Sequence, residues 1–158
     1  MPLTVSEIAE RIAKPAADKA AVAVIVGRLR HWTAEGLLQP VGEKSPGTGR
    51  HRRYDEAVLE DAALLNEMAE LGLQIRLMRT CLILAQDAKT KWTDKAKRRI
   101  RVYLEIIKMP DGEILPRLHE VHEGKKSKKG DQFFLPALTS ILINLTQLFG
   151  RLTIEGRT

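Results

Sequence analysis

Hydrophobic residues at helical spacing predict two short helices at the N-terminal end of the chain. The stretch TVSE at residues 4–7 has the pattern of a capping box, and it predicts a first helix that is broken by Pro15. Asp18 predicts the N-cap of a second helix, in which apolar residues recur every three or four positions until Gly36 stops it. Two short helices joined by a tight break predict a helix-turn-helix.

The pattern then changes to short apolar runs around a polar centre. Residues 37–41 predict a strand, residues 42–49 a polar tip, and residues 50–54 a return strand. Such a hairpin after the second helix is called a wing, and the name is kept here for residues 37–54.

Helical spacing returns after the wing. Asp55 predicts the cap of a third helix over residues 55–73, which carries six acidic residues and neither lysine nor arginine. A fourth helix is predicted over residues 74–88, after a break at Gly72.

The C-terminal part of the pattern allows two interpretations. Apolar residues from position 100 onwards fit a helix, but those at 100, 102, 104 and 106 alternate, and a turn signal follows at 109–112. We therefore predict a β-hairpin over residues 100–121, with the helix as the alternative. Pro136 then predicts the first turn of a long last helix over residues 137–152.

The last predicted helix carries an apolar stripe that looks too wide for a small monomer to bury. We therefore predict a homodimer that uses this stripe. The predicted interface consists of Leu138, Ile141, Leu142, Leu145, Leu148 and Phe149.

The predicted fold class is mainly α with a small β component. Residues 1–73 are predicted to form an N-terminal winged helix-turn-helix domain. Residues 74–158 form an α+β dimerisation or regulatory region that contains a helix, a hairpin and the long C-terminal helix.

Composition narrows the functional classes. The 158 residues include 26 Lys and Arg against 20 Asp and Glu, and the resulting net charge of +6 favours a polyanionic partner. The single cysteine excludes an internal disulfide and any site that needs two thiolates. No apolar run approaches the length of a membrane span, and the N-terminal stretch lacks the pattern of a signal peptide. We therefore expect a cytoplasmic protein with no membrane partner.

Three motifs carry a resemblance to a known family. Residues 30–38, RHWTAEGLL, are similar to the sequence that ends the recognition helix of MerR-family winged helix-turn-helix proteins. Residues 49–56, GRHRRYDE, resemble the wing of that family, and residues 70–73, ELGL, resemble the motif before its fourth helix. His31 and Trp32 stand where the family has two tyrosines, and the family's dimerising coiled coil has no counterpart after residue 88.

The resemblance implies a DNA-binding transcriptional regulator of bacterial type. Its second helix would enter the major groove, its basic wing would contact the flanking backbone, and a dimer would contact two half-sites. The candidate DNA-binding residues are Arg28, Arg30, His31, Lys44, Arg50, His51, Arg52, Arg53 and Tyr54. Arg30 could instead have a structural role, in an ion pair with Glu35 or with an acidic residue of the third helix.

Double-stranded DNA is the expected partner, with RNA polymerase or another protein as a further candidate. One alternative function is an excisionase-like architectural protein that bends DNA during recombination. Another is a protein-interaction adaptor that docks its partner through residues 89–158. DNA footprints distinguish the three functions. A regulator should protect DNA between promoter elements, an excisionase should protect sites beside an attachment site, and an adaptor should give no sequence-preferring footprint.

The remaining chemistry-bearing residues predict no enzyme, cofactor or metal site. Cys81 lies among apolar residues and is predicted to be a buried structural thiol. His119 and His122 have no third ligand near them in the sequence. The basic segment 89–101 is predicted to be a solvated face, with an extension of the DNA footprint or a contact with an acidic partner as the alternative, and the lysines at 125–129 are predicted to lie in a solvated loop. No nucleophile triad or phosphate-binding loop can be assembled.

Overall fold

The computed structural model describes residues 2–14, 16–42, 52–89, 100–109, 111–122 and 139–148. By its contacts the chain divides into two compact units. The first, the helical unit, comprises residues 1–73 together with 148–158, and the second, the sheet unit, comprises residues 74–147.

The first helix of the helical unit is α1, Val5–Ile12. The Thr4 hydroxyl accepts the backbone N–H of Glu7 at 3.2 Å, and the Glu7 carboxylate accepts the backbone N–H of Thr4 at 2.6 Å. These two bonds satisfy donors that every helix N-terminus leaves open, so the predicted capping box is confirmed.

The second helix is α2, Lys19–Ala34, which begins and ends as the sequence predicts. Asp18 caps it, since its carboxylate accepts the backbone N–H of Ala21 at 2.8 Å. Gly36 has φ 73°, a conformation that few residues other than glycine adopt, and this ends the helix.

The third helix, α3, spans Val58–Glu70, three residues shorter at its start than predicted. Asp55 does not cap the helix, because its carboxylate accepts the backbone N–H of Ala57 at 3.0 Å in a preceding turn. Ala57 occupies the N-cap position and has no side chain that could cap the helix.

The helical unit encloses an apolar core to which all three helices contribute. α1 contacts α2 and α3, and α2 contacts α3. The core residues on these helices are Ile8, Ala9, Ile25, Leu29, Trp32, Leu59, Ala62, Ala63, Leu64, Leu65 and Met68.

The predicted first strand of the wing does not form over residues 37–40. Leu37 and Leu38 are buried in a bend after α2, where the backbone N–H of each bonds the Trp32 carbonyl. Only Val41 pairs, in a single bridge with Arg53. Burying two successive leucines needs a bend, because successive side chains of a strand point to opposite faces.

The sheet unit begins with α4, Ile75–Lys89, which confirms the predicted fourth helix. It continues with β1, Ile100–Lys108, and β2, Ile114–His122. β1 and β2 are antiparallel and in register from Ile100 opposite His122 to Lys108 opposite Ile114. The predicted hairpin is therefore confirmed, and the helical alternative for this segment is wrong.

The long C-terminal helix is the main error of the sequence prediction. Residues Thr139–Asn144 form β3, which pairs antiparallel with β1 and gives the sheet the order β2-β1-β3. Ile141 and Leu142 of the predicted stripe thus lie on a strand. Among the described residues of the predicted last helix, only residues 145–148 have helical backbone. The run of β-branched residues around Ile141 suits a strand, and β1 offers it a hydrogen-bonding edge.

One face of the sheet is apolar. Val102, Leu104 and Ile106 alternate along β1 and are buried, and Ile143 of β3, opposite Leu104, is buried as well. Leu145, just after β3, is fully buried, with 0% of its surface exposed. Within the described residues, no helix has both the length and the apolar character that a membrane crossing requires.

Candidate nucleic-acid interface

Helix α2 has one buried face and one exposed face. Ile25, Leu29 and Trp32 recur at spacings of three and four on the buried face. Arg30 and His31 are exposed, and α2 contains no acidic residue. The helix therefore presents an acid-free surface on which Arg30 and His31, and Lys19 at its start, can donate hydrogen bonds.

A buried hydrogen bond joins α2 to the return segment of the wing. The Thr33 and Tyr54 hydroxyl oxygens are 2.8 Å apart, and Thr33 also donates to the Leu29 carbonyl at 2.8 Å. The threonine has one hydroxyl proton, so Tyr54 must donate to Thr33. This bond fixes the position of the return segment against α2.

Backbone pairing fixes the same segment from its other side. Leu3 and Tyr54 exchange two N–H to carbonyl bonds of 2.8 Å, and the Val41 N–H bonds the Arg53 carbonyl at 2.7 Å. The base of the wing is thereby held between the start of the chain and the bend after α2.

Tyr54 is therefore not available to DNA. Only 1% of its surface is exposed, and its hydroxyl donates to Thr33. Its assignment as a DNA-binding residue is wrong, because the burial of its ring leaves nothing for a nucleic acid to contact. Tyr54 instead positions the segment that carries Arg52 and Arg53.

Arg28 faces inward at the contact between α2 and α3. It is half-buried, and its Nη1 donates to Oδ1 of Asn66 at 2.8 Å. Asn66 Nδ2 in turn donates to Glu70 at 3.2 Å, and Lys14 Nζ lies 2.6 Å from the same carboxylate. These four residues form a polar chain, called the inner network here, across α2, α3 and the turn after α1.

The inner network lowers the pKa of Glu70. The hydrogen bond from Lys14 is the largest cause, and it outweighs partial burial, which acts in the opposite direction. The charge of Lys14, the hydrogen bond from Asn66 and the charge of Arg28 add to the lowering. The carboxylate thus balances two cations that the fold holds near α3.

The other predicted DNA-binding residues have different environments. Among the described residues no acidic side chain forms an ion pair with Arg30, so the alternative pairing with Glu35 or with an acid of α3 is not observed. Arg53 is exposed and Arg52 is half-buried. Lys44, Arg50 and His51 lie outside the described residues, as do the predicted interface residues Leu138 and Phe149.

The acidic side chain of Glu7 is hydrogen-bonded within the helical unit. The backbone and side-chain hydrogen bonds from Thr4 lower the pKa of Glu7, and the charges of Arg53 and Arg11 lower it slightly further. The carboxylate is used in the cap of α1, and it remains ionised at neutral pH.

The sheet unit has one ionic cluster on its other face. Glu105 of β1 accepts a hydrogen bond from Arg117 Nε at 2.5 Å and contacts the His119 ring nitrogen, both on β2. Burial raises the pKa of Glu105, but the hydrogen bonds and charges of Arg117 and His119 outweigh it, and the net shift is downward.

The cysteine and histidines hold no metal site in the described part of the chain. No group of three His, Cys, Asp or Glu residues there is arranged for a metal ion. Burial raises the pKa of the Cys81 thiol to about 11, as expected for the predicted structural thiol.

Sequence reasoning missed Asn66, Leu3 and Thr33, which contact the candidate residues Arg28 and Tyr54 and hold them in place. Asn66 gave a signal, since a polar residue at a core position of an apolar helix needs a partner. The pairing of Leu3 with Tyr54 gave none, because strand-like bridges between distant residues depend on the fold.

The described part of the helical unit therefore contains two N-terminal helices, α1 and α2, with exposed cations on α2 and a return segment that is held against α2 at Tyr54. Residues 19–82 match the family model described as MerR HTH family regulatory protein. The resemblance stated from the sequence is confirmed for this segment, which is typical of DNA-binding transcription regulators. The match does not favour the excisionase-like or the adaptor alternative. No curated protein matches the chain.

Proposed function

We propose that this protein is a sequence-specific regulator that binds double-stranded DNA as a homodimer. Helix α2 enters the major groove, with Arg30 and His31 at base edges or phosphates. The wing contacts the flanking backbone through Arg52 and Arg53, and Lys44, Arg50 and His51 supply further positive charge. RNA polymerase or another protein in the cytoplasm is a candidate second partner.

The acid-free exposed face of α2 carries this proposal. Acidic residues are abundant on α3, where Glu70 belongs to the inner network. Glu7 is engaged in the cap of α1, and no acidic residue lies on α2. A helix that approaches phosphates gains from this separation, because a carboxylate in the groove would oppose binding.

The first test is selection of bound duplexes from a random pool, followed by titration at several salt concentrations. We expect one enriched sequence with two similar half-sites, about one helical turn apart or a multiple of it. Binding that shows no sequence preference over scrambled duplexes contradicts a sequence-specific regulator.

Two arginine variants separate positioning from base recognition. Arg52→Ala should weaken binding to all duplexes alike and lower the log–log salt slope by about one unit. Arg30→Ala should instead weaken the best site by about 1–3 kcal/mol and change the preferred base. Lys108→Ala is the control, because Lys108 is an exposed cation on β1 outside the proposed interface. An unchanged slope in Arg52→Ala contradicts the backbone contact of the wing.

The homodimer is proposed from the two-fold symmetry that a pair of half-sites requires. Ile141 and Leu142 of the predicted interface lie on β3 and Leu145 is fully buried, so a continuous helical stripe does not support this proposal. Sedimentation of the free protein and of its complex with a one-half-site duplex measures the stoichiometry, and a monomer in both contradicts the dimer.

A further inference from the structure

The exposed face of α2 contains almost no group that can form a hydrogen bond. Its surface positions recur at spacings of three and four, so they lie side by side along the helix. They are Ala20, Ala23, Val24, Gly27, Arg30, His31 and Ala34, all of them exposed. Polar groups on the exposed surface of α2 are confined to Lys19, at the start of the helix, and to Arg30 and His31 in its C-terminal half.

Val24 is the largest aliphatic side chain among the exposed positions of α2. The structure leaves 55% of its surface accessible, among small neighbours that do not shield it. An aliphatic side chain exposed on a helix that approaches a partner can pack against an apolar group of that partner. Because α2 also bears cations and no acids, the partner that its charge favours is polyanionic.

Gly27 has no role in the fold that the described residues reveal. A Cβ added at this position would meet no atom within 4 Å, and its backbone is not among those with positive φ. Glycine inside a helix lowers stability relative to alanine. Because glycine has no side chain, another molecule can approach the helix backbone closely at this position.

We propose that Val24 recognises the C5-methyl group of a thymine and that Gly27 admits the edge of the DNA at the centre of the contact. This inference rests on the proposed function and specifies how α2 selects its sequence. The thymine methyl is the apolar group on the floor of the major groove, and an aliphatic side chain can distinguish it by packing alone. Hydrogen-bonded readout is then confined to Arg30 and His31.

The test uses the selected duplex and the full chain. Each thymine is replaced in turn by deoxyuridine, which removes the methyl group and leaves the base-pairing pattern unchanged. We expect one thymine per half-site at which this replacement weakens binding about fourfold, the factor for burying one methyl group. Methylated cytosine at that position should bind more tightly than unmethylated cytosine.

Variants of the protein connect this effect to Val24. In Val24→Ala the fourfold effect of deoxyuridine should disappear, since the methyl group has lost its contact. Val121→Ala is the matched control, because Val121 is 49% exposed on β2, outside the proposed interface, and its variant should keep the effect. Gly27→Ala should unfold at a higher temperature than wild type and yet bind every duplex about tenfold more weakly, which corresponds to 1.4 kcal/mol.

Several outcomes overturn the inference while the proposed function stands. They are binding to the selected duplex with no thymine sensitive to deoxyuridine, sensitivity that persists in Val24→Ala, or wild-type affinity in Gly27→Ala. A failure to select any preferred sequence instead overturns the proposed function, and this inference with it.

Discussion

The helical unit and the sheet unit use polar side chains in different ways. In the helical unit, polar contacts join separate elements: Tyr54 donates to Thr33, and the inner network runs from Lys14 to Arg28. In the sheet unit, the cluster around Glu105 lies between two paired strands whose register the backbone already fixes.

The difference shows what each unit must specify. Apolar packing is non-directional, so it holds three short helices together without fixing their orientation sharply. A directional hydrogen bond between buried groups excludes alternative orientations, as the bond between Thr33 and Tyr54 does. The strands of the sheet unit need no such device, because a slip of one residue would expose their apolar face.

The largest effect is expected from the apolar packing of the sheet unit. Leu145→Ala should lower the free energy of unfolding by about 2–5 kcal/mol, because the side chain is fully buried and leaves a cavity. Denaturant unfolding followed by circular dichroism measures it. Leu115→Ala is the control, since Leu115 is 36% exposed on β2. Equal losses in the two variants would show that burial does not distinguish these leucines.

A smaller effect is expected from the directional bond of the helical unit. Thr33→Val should cost about 1–3 kcal/mol, because it leaves the buried Tyr54 hydroxyl without an acceptor. Tyr54→Phe should cost less, about 0.5–1.5 kcal/mol, because Thr33 still donates to the Leu29 carbonyl. The double variant should lose less than the sum of the two, and strict additivity in this cycle would contradict a direct bond.

The inner network should affect stability and leave the DNA charge contacts intact. Arg28→Ala should lower the free energy of unfolding by about 1–2 kcal/mol, through its lost hydrogen bond to Asn66. The salt slope of DNA binding should stay at the wild-type value, unlike that of Arg52→Ala. A slope lowered by about one unit with unchanged stability would place Arg28 at the DNA instead.

The smallest effect concerns pH and the cluster of the sheet unit. The pKa of Glu105 is lower in the folded protein than its ordinary value of 4.5, so its stabilisation is complete above about that pH. It is lost as the pH falls through the lower folded pKa. Glu105→Gln should lose this part of the pH dependence. The measurement is the free energy of unfolding against pH over the titration range of a carboxyl group, from about pH 5 to about pH 2. Identical curves for the variant and the wild type would rule out a contribution from Glu105.

Local signals made the helices and the hairpin predictable. The caps at Thr4 and Asp18 and the stop at Gly36 depend on residues within four positions, so the sequence shows them directly. The hairpin of β1 and β2 was also visible, because alternation on both sides of a turn specifies its own partner strand.

The errors have a common physical origin in distant pairing. The segment after Pro136 has an apolar pattern compatible with a helix, and its conversion to β3 depends on the edge that β1 offers about 35 residues earlier. The inward orientation of Arg28 likewise depends on Asn66, which lies on another helix. Of the candidate site, the exposure of Arg30 and His31 was predictable and the burial of Tyr54 was not.

The paired residues Leu3 and Tyr54 also affect how the helical unit folds. Their two backbone bonds close a loop of about fifty residues, at an entropic cost of roughly 3.5 kcal/mol plus a constant. Helix α2 can begin to form from its own capped ends, but this pair forms only after α1, α2 and the wing base are in place. The amide hydrogens of Leu3 and Tyr54 should therefore exchange with solvent only when the whole helical unit unfolds.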